Sequence, residues 1–196
     1  MENDLKKIQC LIAEALSLDK QKKFREAVSM YNNALLLDPS YTRALVGKGY
    51  ALSKIGRSKE SLESFRKAFN IEPALTDAWT FMGDHLADMA RYEEAITYYD
   101  IALDINPGDA LIWIDKGFCL EARGQFEDAN DCFEKAINLA PGNSTAWYNR
   151  GVVLRKMKKF EVALNCFEKA LAITPDYDEA RQNKEFVLEA LQTANR

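Results

Sequence analysis

Along most of this chain apolar residues return at spacings of three and four, the period of a helix buried along one stripe. In residues 42–75 the pattern predicts two helices, Thr42 to Lys54 and Ser58 to Ile71, with a turn at Gly56 and a stop at Pro73. The same pair then recurs. All five prolines, Pro39, Pro73, Pro107, Pro141 and Pro175, lie 34 residues apart. A fixed period of this length is one helix–turn–helix unit copied along the chain. Each proline ends the second helix of its unit, because its ring removes a donor and clashes one turn back. The units span residues 8–41, 42–75, 76–109, 110–143 and 144–177. Gly124 repeats the turn of Gly56, and Asp109 and Asn143–Ser144 are suitable N-caps for the helices after them.

Small residues recur where helices must touch. The eighth place of each unit holds Ala15, Gly49, Gly83, Gly117 and Gly151. A glycine inside a helix costs about 1 kcal/mol, so a repeated one predicts close approach by a neighbour. Two alanine-rich rows follow, Ala27, Ser61, Ala95, Ala129, Ala163 and Ala34, Ala68, Ala102, Ala136, Ala170. Between them runs an aromatic row, Tyr31, Phe65, Tyr99, Phe133 and Phe167. Rings that fill the space left by small neighbours are core packing, and a cofactor site would not need five copies. After Tyr177 an amphipathic helix over 178–192 carries Ala180, Val187 and Leu191 on one side and Gln182, Glu185 and Glu189 on the other.

These rows resemble the tetratricopeptide repeat: an opening aromatic, then glycine, two alanines flanking an aromatic, and a closing proline. Trp79, Trp113 and Trp147 hold the opening aromatic place, and Leu11 and Leu45 fill it in the first two units. The family often has leucine just before the glycine; here Glu14, Lys48, Met82, Lys116 and Arg150 stand there, with stems long enough to lie along apolar surface. The resemblance covers residues 8–177 and implies an all-α fold, a right-handed α-solenoid of five TPR helix-turn-helix repeats with a capping helix over 178–192. It implies one domain over residues 1–196.

The resemblance also implies a concave groove lined by the first helices, where partner peptides bind. The places that carry over are Ile12 and Leu16; Arg43, Val46 and Tyr50; Asp77, Thr80, Phe81, Asp84 and Asp88; Leu111, Ile114, Asp115 and Phe118; Tyr148, Asn149, Val152 and Arg155; and Phe186. This face is apolar and aromatic around an acidic centre of Asp77, Asp84, Asp88 and Asp115. The expected ligand is a protein segment with apolar anchors and a basic residue. One subset of the family clamps the C-terminal carboxylate of heat-shock chaperones with lysine, arginine and asparagine; no register here supplies that set, and the aspartates would repel the carboxylate. The alternative is a self-associating structural subunit, a homodimer that buries the same face isologously.

Charge and composition narrow the rest. The net charge is −4, which argues against a nucleic-acid partner. The basic clusters Lys20, Lys22, Lys23, Arg25 and Arg155, Lys156, Lys158, Lys159 fall at expected turns. No run reaches the roughly 18 apolar residues that cross a bilayer, and the opening Met-Glu-Asn-Asp lacks a secretory pattern. Cys10, Cys119, Cys132 and Cys166 form no C-x-x-C pair and are read as reduced, which suits the cytoplasm. The sole histidine, His85, is adjacent to Asp84, so the two side chains point about 100° apart on a helix rather than to one metal. No phosphate loop or nucleophile motif is present. The expectation is a non-catalytic interaction protein with no cofactor and no metal.

Overall fold

The computed structural model describes residues 2–194. Those residues form eleven helices and no strand. They are α1 (Glu2–Lys20), α2 (Phe24–Leu37), α3 (Thr42–Lys54), α4 (Ser58–Ile71), α5 (Thr76–Asp88), α6 (Tyr92–Ile105), α7 (Ala110–Ala122), α8 (Phe126–Leu139), α9 (Ser144–Lys156), α10 (Phe160–Ile173) and α11 (Asp178–Ala194). The all-α class and the paired helices are those expected from the period. Met1, Asn195 and Arg196, the ends of the expected domain, lie outside the described residues.

The punctuation of the helices is local chemistry. Asp38, Glu72, Asn106, Ala140 and Thr174 each end a second helix in extended backbone, with φ between −142° and −128°. Each precedes a proline, whose ring excludes the helical region for the residue before it. Asp109 accepts from the Leu111 amide at 2.9 Å and Asn143 from the Ala146 amide at 3.1 Å, the two caps anticipated above.

Between the first and second helices the chain passes once through the left-handed region. The residues are Lys22 (φ 59°), Gly56 (φ 76°), Ala90 (φ 57°), Gly124 (φ 77°) and Lys158 (φ 59°), again 34 apart. An L-residue there carries a penalty of about 1 kcal/mol that glycine escapes. Lys158→Gly should therefore raise the unfolding free energy by roughly 1 kcal/mol in a urea titration, and Gly124→Ala should lower it by a similar amount. Equal midpoints for all three proteins would contradict this account of the turn.

By its contacts the chain divides into two compact units, Met1–Met89 and Ala90–Arg196. In the first, successive helices pack in order from α1 to α5, and α3 also touches both α1 and α5. In the second, α6 to α11 pack in the same way, with α9 touching α7 and α11. The repeat's second helix buries its aromatic against the glycine of its own first helix. A Cβ added at Gly49, Gly117 or Gly151 would lie 2.6–2.8 Å from the ring of Phe65, Phe133 or Phe167 respectively. The alanine rows are fully buried. Ser61 is tolerated in one of them because its hydroxyl donates to the Gly49 carbonyl at 2.8 Å.

Two of the charged residues that precede the glycine, Lys116 and Arg150, and Lys184 at the matching place of α11, do more than lay down a stem. Lys116 pairs with Asp100 at 2.5 Å, Arg150 with Glu134 at 3.1 Å and Lys184 with Glu168 at 3.0 Å, each cation reaching back to the second helix of the preceding repeat. The opening tryptophans tie down the proline turns: Nε1 of Trp79, Trp113 and Trp147 donates to the carbonyl of Pro73, Pro107 and Pro141 at 2.7, 3.0 and 2.9 Å. Arg181 does the same for Pro175 at 2.9 Å.

All four cysteines are free thiols; Cys119, Cys132 and Cys166 are buried and Cys10 is exposed. Burial pushes the Cys132 thiol up to about 11 and raises that of Cys166. The thiolate is the reactive form. A chromogenic disulfide reagent should titrate Cys10 promptly in the native protein and the other three only after denaturation. Prompt reaction of more than one thiol would mean that the repeats open far more readily than this packing implies.

Candidate functional site

In the unit of residues 1–89 the first helices α1, α3 and α5 lie side by side and leave a groove of about 580 Å³. Helical periodicity sets its lining, because residues three and four apart share a face. Ile12 and Leu16 come from α1, Arg43, Val46 and Tyr50 from α3, and Asp77 and Phe81 from α5. Leu16 is 51% exposed, while Val46 and Ile12 are buried and form floor rather than rim. An aromatic row crosses it. Phe24 meets Tyr50 edge-on at 6.1 Å, and Tyr50 lies 5.2 Å from Phe81. These rings touch one another and still keep part of their surface open, so self-packing does not seal the groove.

Seven of the residues expected in a binding face thus converge here: Ile12, Leu16, Arg43, Val46, Tyr50, Asp77 and Phe81. Thr80 and Asp84 share α5 but do not line the groove; the Thr80 hydroxyl bonds back to the Thr76 carbonyl at 3.2 Å. The acidic centre is correspondingly smaller than expected. Asp88 is paired with Lys54 at 3.2 Å, and Lys54 also lies over the Tyr50 ring at 5.6 Å.

Five further lining residues lie outside the expected face: Asp19, Lys20, Tyr31, Gly47 and Leu75. The Tyr31 ring is fully buried, and its hydroxyl donates to Asp19 Oδ2 at 2.7 Å. The other oxygen, Oδ1, is shut off from solvent and has no hydrogen-bond partner. Burial raises the carboxyl of Asp19 above its ordinary range, opposed by the bond from Tyr31. Tyr31 reaches this position because Gly47 has no side chain; a Cβ there would fall 2.3 Å from Cζ and 2.6 Å from the hydroxyl. The clue lay in the coincidence of a tyrosine in the aromatic row, shared only by Tyr99, with a glycine at position 47, where the other units have Ala13, Phe81, Asp115 and Asn149.

In the unit of residues 90–196 the expected residues gather less completely. Phe118, Tyr148, Asn149 and Val152 line a hollow of about 240 Å³ together with Glu121 and Phe133. Phe118 is 49% exposed and meets Tyr92 edge-on at 6.4 Å. Tyr148 lies 4.8 Å from Tyr177, and burial raises the hydroxyls of both. Ile114 is not surface. It is 8% exposed and packs among Cys132, Phe133 and Val153, because its place on α7 turns toward α8 and α9. Asp115 does not line the hollow. Arg155 stacks over Phe186 of the last helix at 5.1 Å.

His85 is buried on α5. Among the described residues no group of three or more histidine, cysteine or carboxylate side chains is placed to hold a metal ion. Nor is any described helix long and apolar enough to cross a membrane.

Family models described as tetratricopeptide repeat match residues 12–74, 75–142 and 144–177. No curated protein matches the sequence significantly. Among solved structures the chain is 28% identical to YrrB, described as a TPR protein with an unusual peptide-binding site, over 89% of this chain and 90% of that one, with a TM-score of 0.73. It is similar in fold to PilF of Pseudomonas aeruginosa (16% identity, 98% and 88% covered, TM-score 0.87). It is also similar in fold to PilW, a type IV pilus biogenesis factor (20% identity, 96% and 87% covered, TM-score 0.82).

Proposed function

The chain belongs to the tetratricopeptide repeat family, and we propose that its groove over α1, α3 and α5 seats an extended or helical segment of a protein partner. Repeat arrays of this family are in general non-catalytic, and this one is a protein-interaction scaffold. The observation that carries the finer reading is the groove itself: about 580 Å³, open, with Leu16, Tyr50, Leu75 and Phe81 on its walls. Apolar surface left concave in a folded protein favours whatever covers it, and each buried anchor contributes about 1.5–3 kcal/mol. Several anchors together with polar contacts, less the ordering of the peptide, approach the ~8 kcal/mol of micromolar affinity. The peptide-binding site named for YrrB supports this reading by analogy. The hollow at Phe118, Tyr148, Asn149 and Val152 is proposed as a second, smaller contact surface. A cytoplasmic setting fits the four free thiols.

The test is a selection of random twelve-residue displayed peptides on the full chain, followed by anisotropy with the peptides recovered. Phe81→Ala should weaken them about tenfold or more, as expected for an aromatic wall residue. Leu16→Asp should do the same with little effect on the fold, since Leu16 is half exposed. Peptides that bind both variants as well as the parent would place binding elsewhere. A dimer in light scattering that Leu16→Asp dissociates would instead assign this face to a second copy of the chain.

A further inference from the structure

We propose that Asp19 is the specificity-determining residue of this groove, receiving the ammonium or guanidinium group of a lysine or arginine in the bound segment while Tyr31 holds its carboxylate across Gly47. This rests on the groove reading above and says what chemistry the groove selects.

Three observations meet at this point. First, the lining is mainly apolar, and Asp19 is a carboxylate held half-buried within it. A charge in such a place interacts more strongly than one at the hydrated rim, where Asp77, Lys20 and Arg43 stand exposed. Second, only one of its oxygens is used. Oδ2 takes the Tyr31 hydroxyl and Oδ1 has no partner. A buried acceptor left unmade is costly, and a donor brought by a ligand recovers that cost. The terminal torsion of an aspartate is soft, so the carboxylate turns toward a donor in the groove while keeping Tyr31 on its other oxygen. Third, the support is specific to this place. The aromatic row offers a hydroxyl at Tyr31 and Tyr99, where Phe65, Phe133 and Phe167 have none, and the place that Gly47 takes beside Tyr31 is Asp115 for Tyr99. The position of Gly47 is occupied in the other units by Ala13, Phe81, Asp115 and Asn149, so no other unit pairs the hydroxyl with the gap.

The rim cations do not cancel this preference. Lys20 and Arg43 are exposed and screened, and they suit acidic residues flanking the basic one. The segment that fits thus has apolar anchors, one lysine or arginine between them, and acidic flanks.

The experiment uses the twelve-residue peptides selected on the full chain. The expected result is a lysine or arginine common to them. Replacing it by norleucine should weaken binding roughly 10- to 100-fold, the range of one charge-assisted hydrogen bond to a half-buried carboxylate. Against Asp19→Asn the lysine and norleucine peptides should bind within about twofold of each other, a coupling that a purely structural role of Asp19 would not produce. Asparagine keeps the acceptor for Tyr31, so this variant should retain the parent's urea midpoint. Selected peptides that lack a basic residue, or whose lysine matters as much to the Asp19→Asn variant as to the parent, would overturn the role of Asp19 and leave the groove reading standing. Recovery of no binding peptide would overturn both.

Discussion

Phe133→Ala should remove about 3–5 kcal/mol from the unfolding free energy, the largest single loss expected outside the groove. The ring is 1% exposed and lies against Gly117, whose missing side chain makes room for it, with Cys132, Ala136, Ile137 and Val153 in the same cluster. Truncation leaves a ring-sized void between α7 and α8 that close-packed helices refill only partly. The reverse error is testable in the same place. Gly117→Ala puts a methyl 2.8 Å from Cε1 of Phe133. Although alanine gains about 1 kcal/mol of helix propensity, the overlap should make the variant less stable than the parent. Combining Gly117→Ala with Phe133→Leu should recover part of both losses, because the smaller side chain vacates the space the methyl needs. Urea titrations of the parent, the two single variants and the double variant measure the cycle. Strictly additive losses would show that the glycine row is not there to admit the ring.

Much of this was legible in the sequence because it is repeated. Proline dictates the backbone of the residue before it, so five prolines in register announced five helix ends at their true places. The glycine and aromatic rows announced their contact in the same way. The left-handed turn was only half visible. Glycine marks it at Gly56 and Gly124, whereas Lys22, Ala90 and Lys158 adopt the same backbone without a residue that advertises it. The ion pairs of Lys116, Arg150 and Lys184 were hidden because their partners, sixteen positions earlier, sit on a different helix and share no local pattern with them.

The groove was harder, and the reason is physical. A family pattern says which face of a first helix turns inward, and of the places it carries over Ile12, Leu16, Arg43, Val46, Tyr50, Asp77 and Phe81 line this groove. Exposure along that face depends on how deeply each neighbour covers it. Ile114 has a groove-facing number and a core environment, since α8 and α9 close over it. Asp19 belongs to the opposite case. It stands at the end of α1 beside a run of lysines and reads as part of a hydrated turn. Only the reach of Tyr31 from α2, through the gap at Gly47 on α3, brings it into the site.

That dependence makes Gly47 the position where fold and site fail together. Gly47→Leu should cost about 3 kcal/mol, near the top of the usual range for overpacking. The first added carbon alone falls 2.3 Å from Cζ and 2.5 Å from Cε1 of Tyr31. The ring is fully buried and packed among Ala15, Ala34 and Ala44, so it cannot simply swing aside. Either α2 and α3 separate or the ring leaves its site, and each breaks the bond to Asp19. The matched control is Gly142→Leu, where an added Cβ meets nothing within 4 Å and φ is not positive. That variant should stay within about 0.5 kcal/mol of the parent, as surface changes usually do. If Gly47→Leu were as stable as Gly142→Leu, the contact that carries Tyr31 to the groove would not exist, and the placement of Asp19 would fall with it. If it were destabilised as expected, the same variant should also lose the preference for a lysine-bearing peptide over its norleucine analogue, because an aspartate without Tyr31 no longer has its carboxylate fixed at the groove.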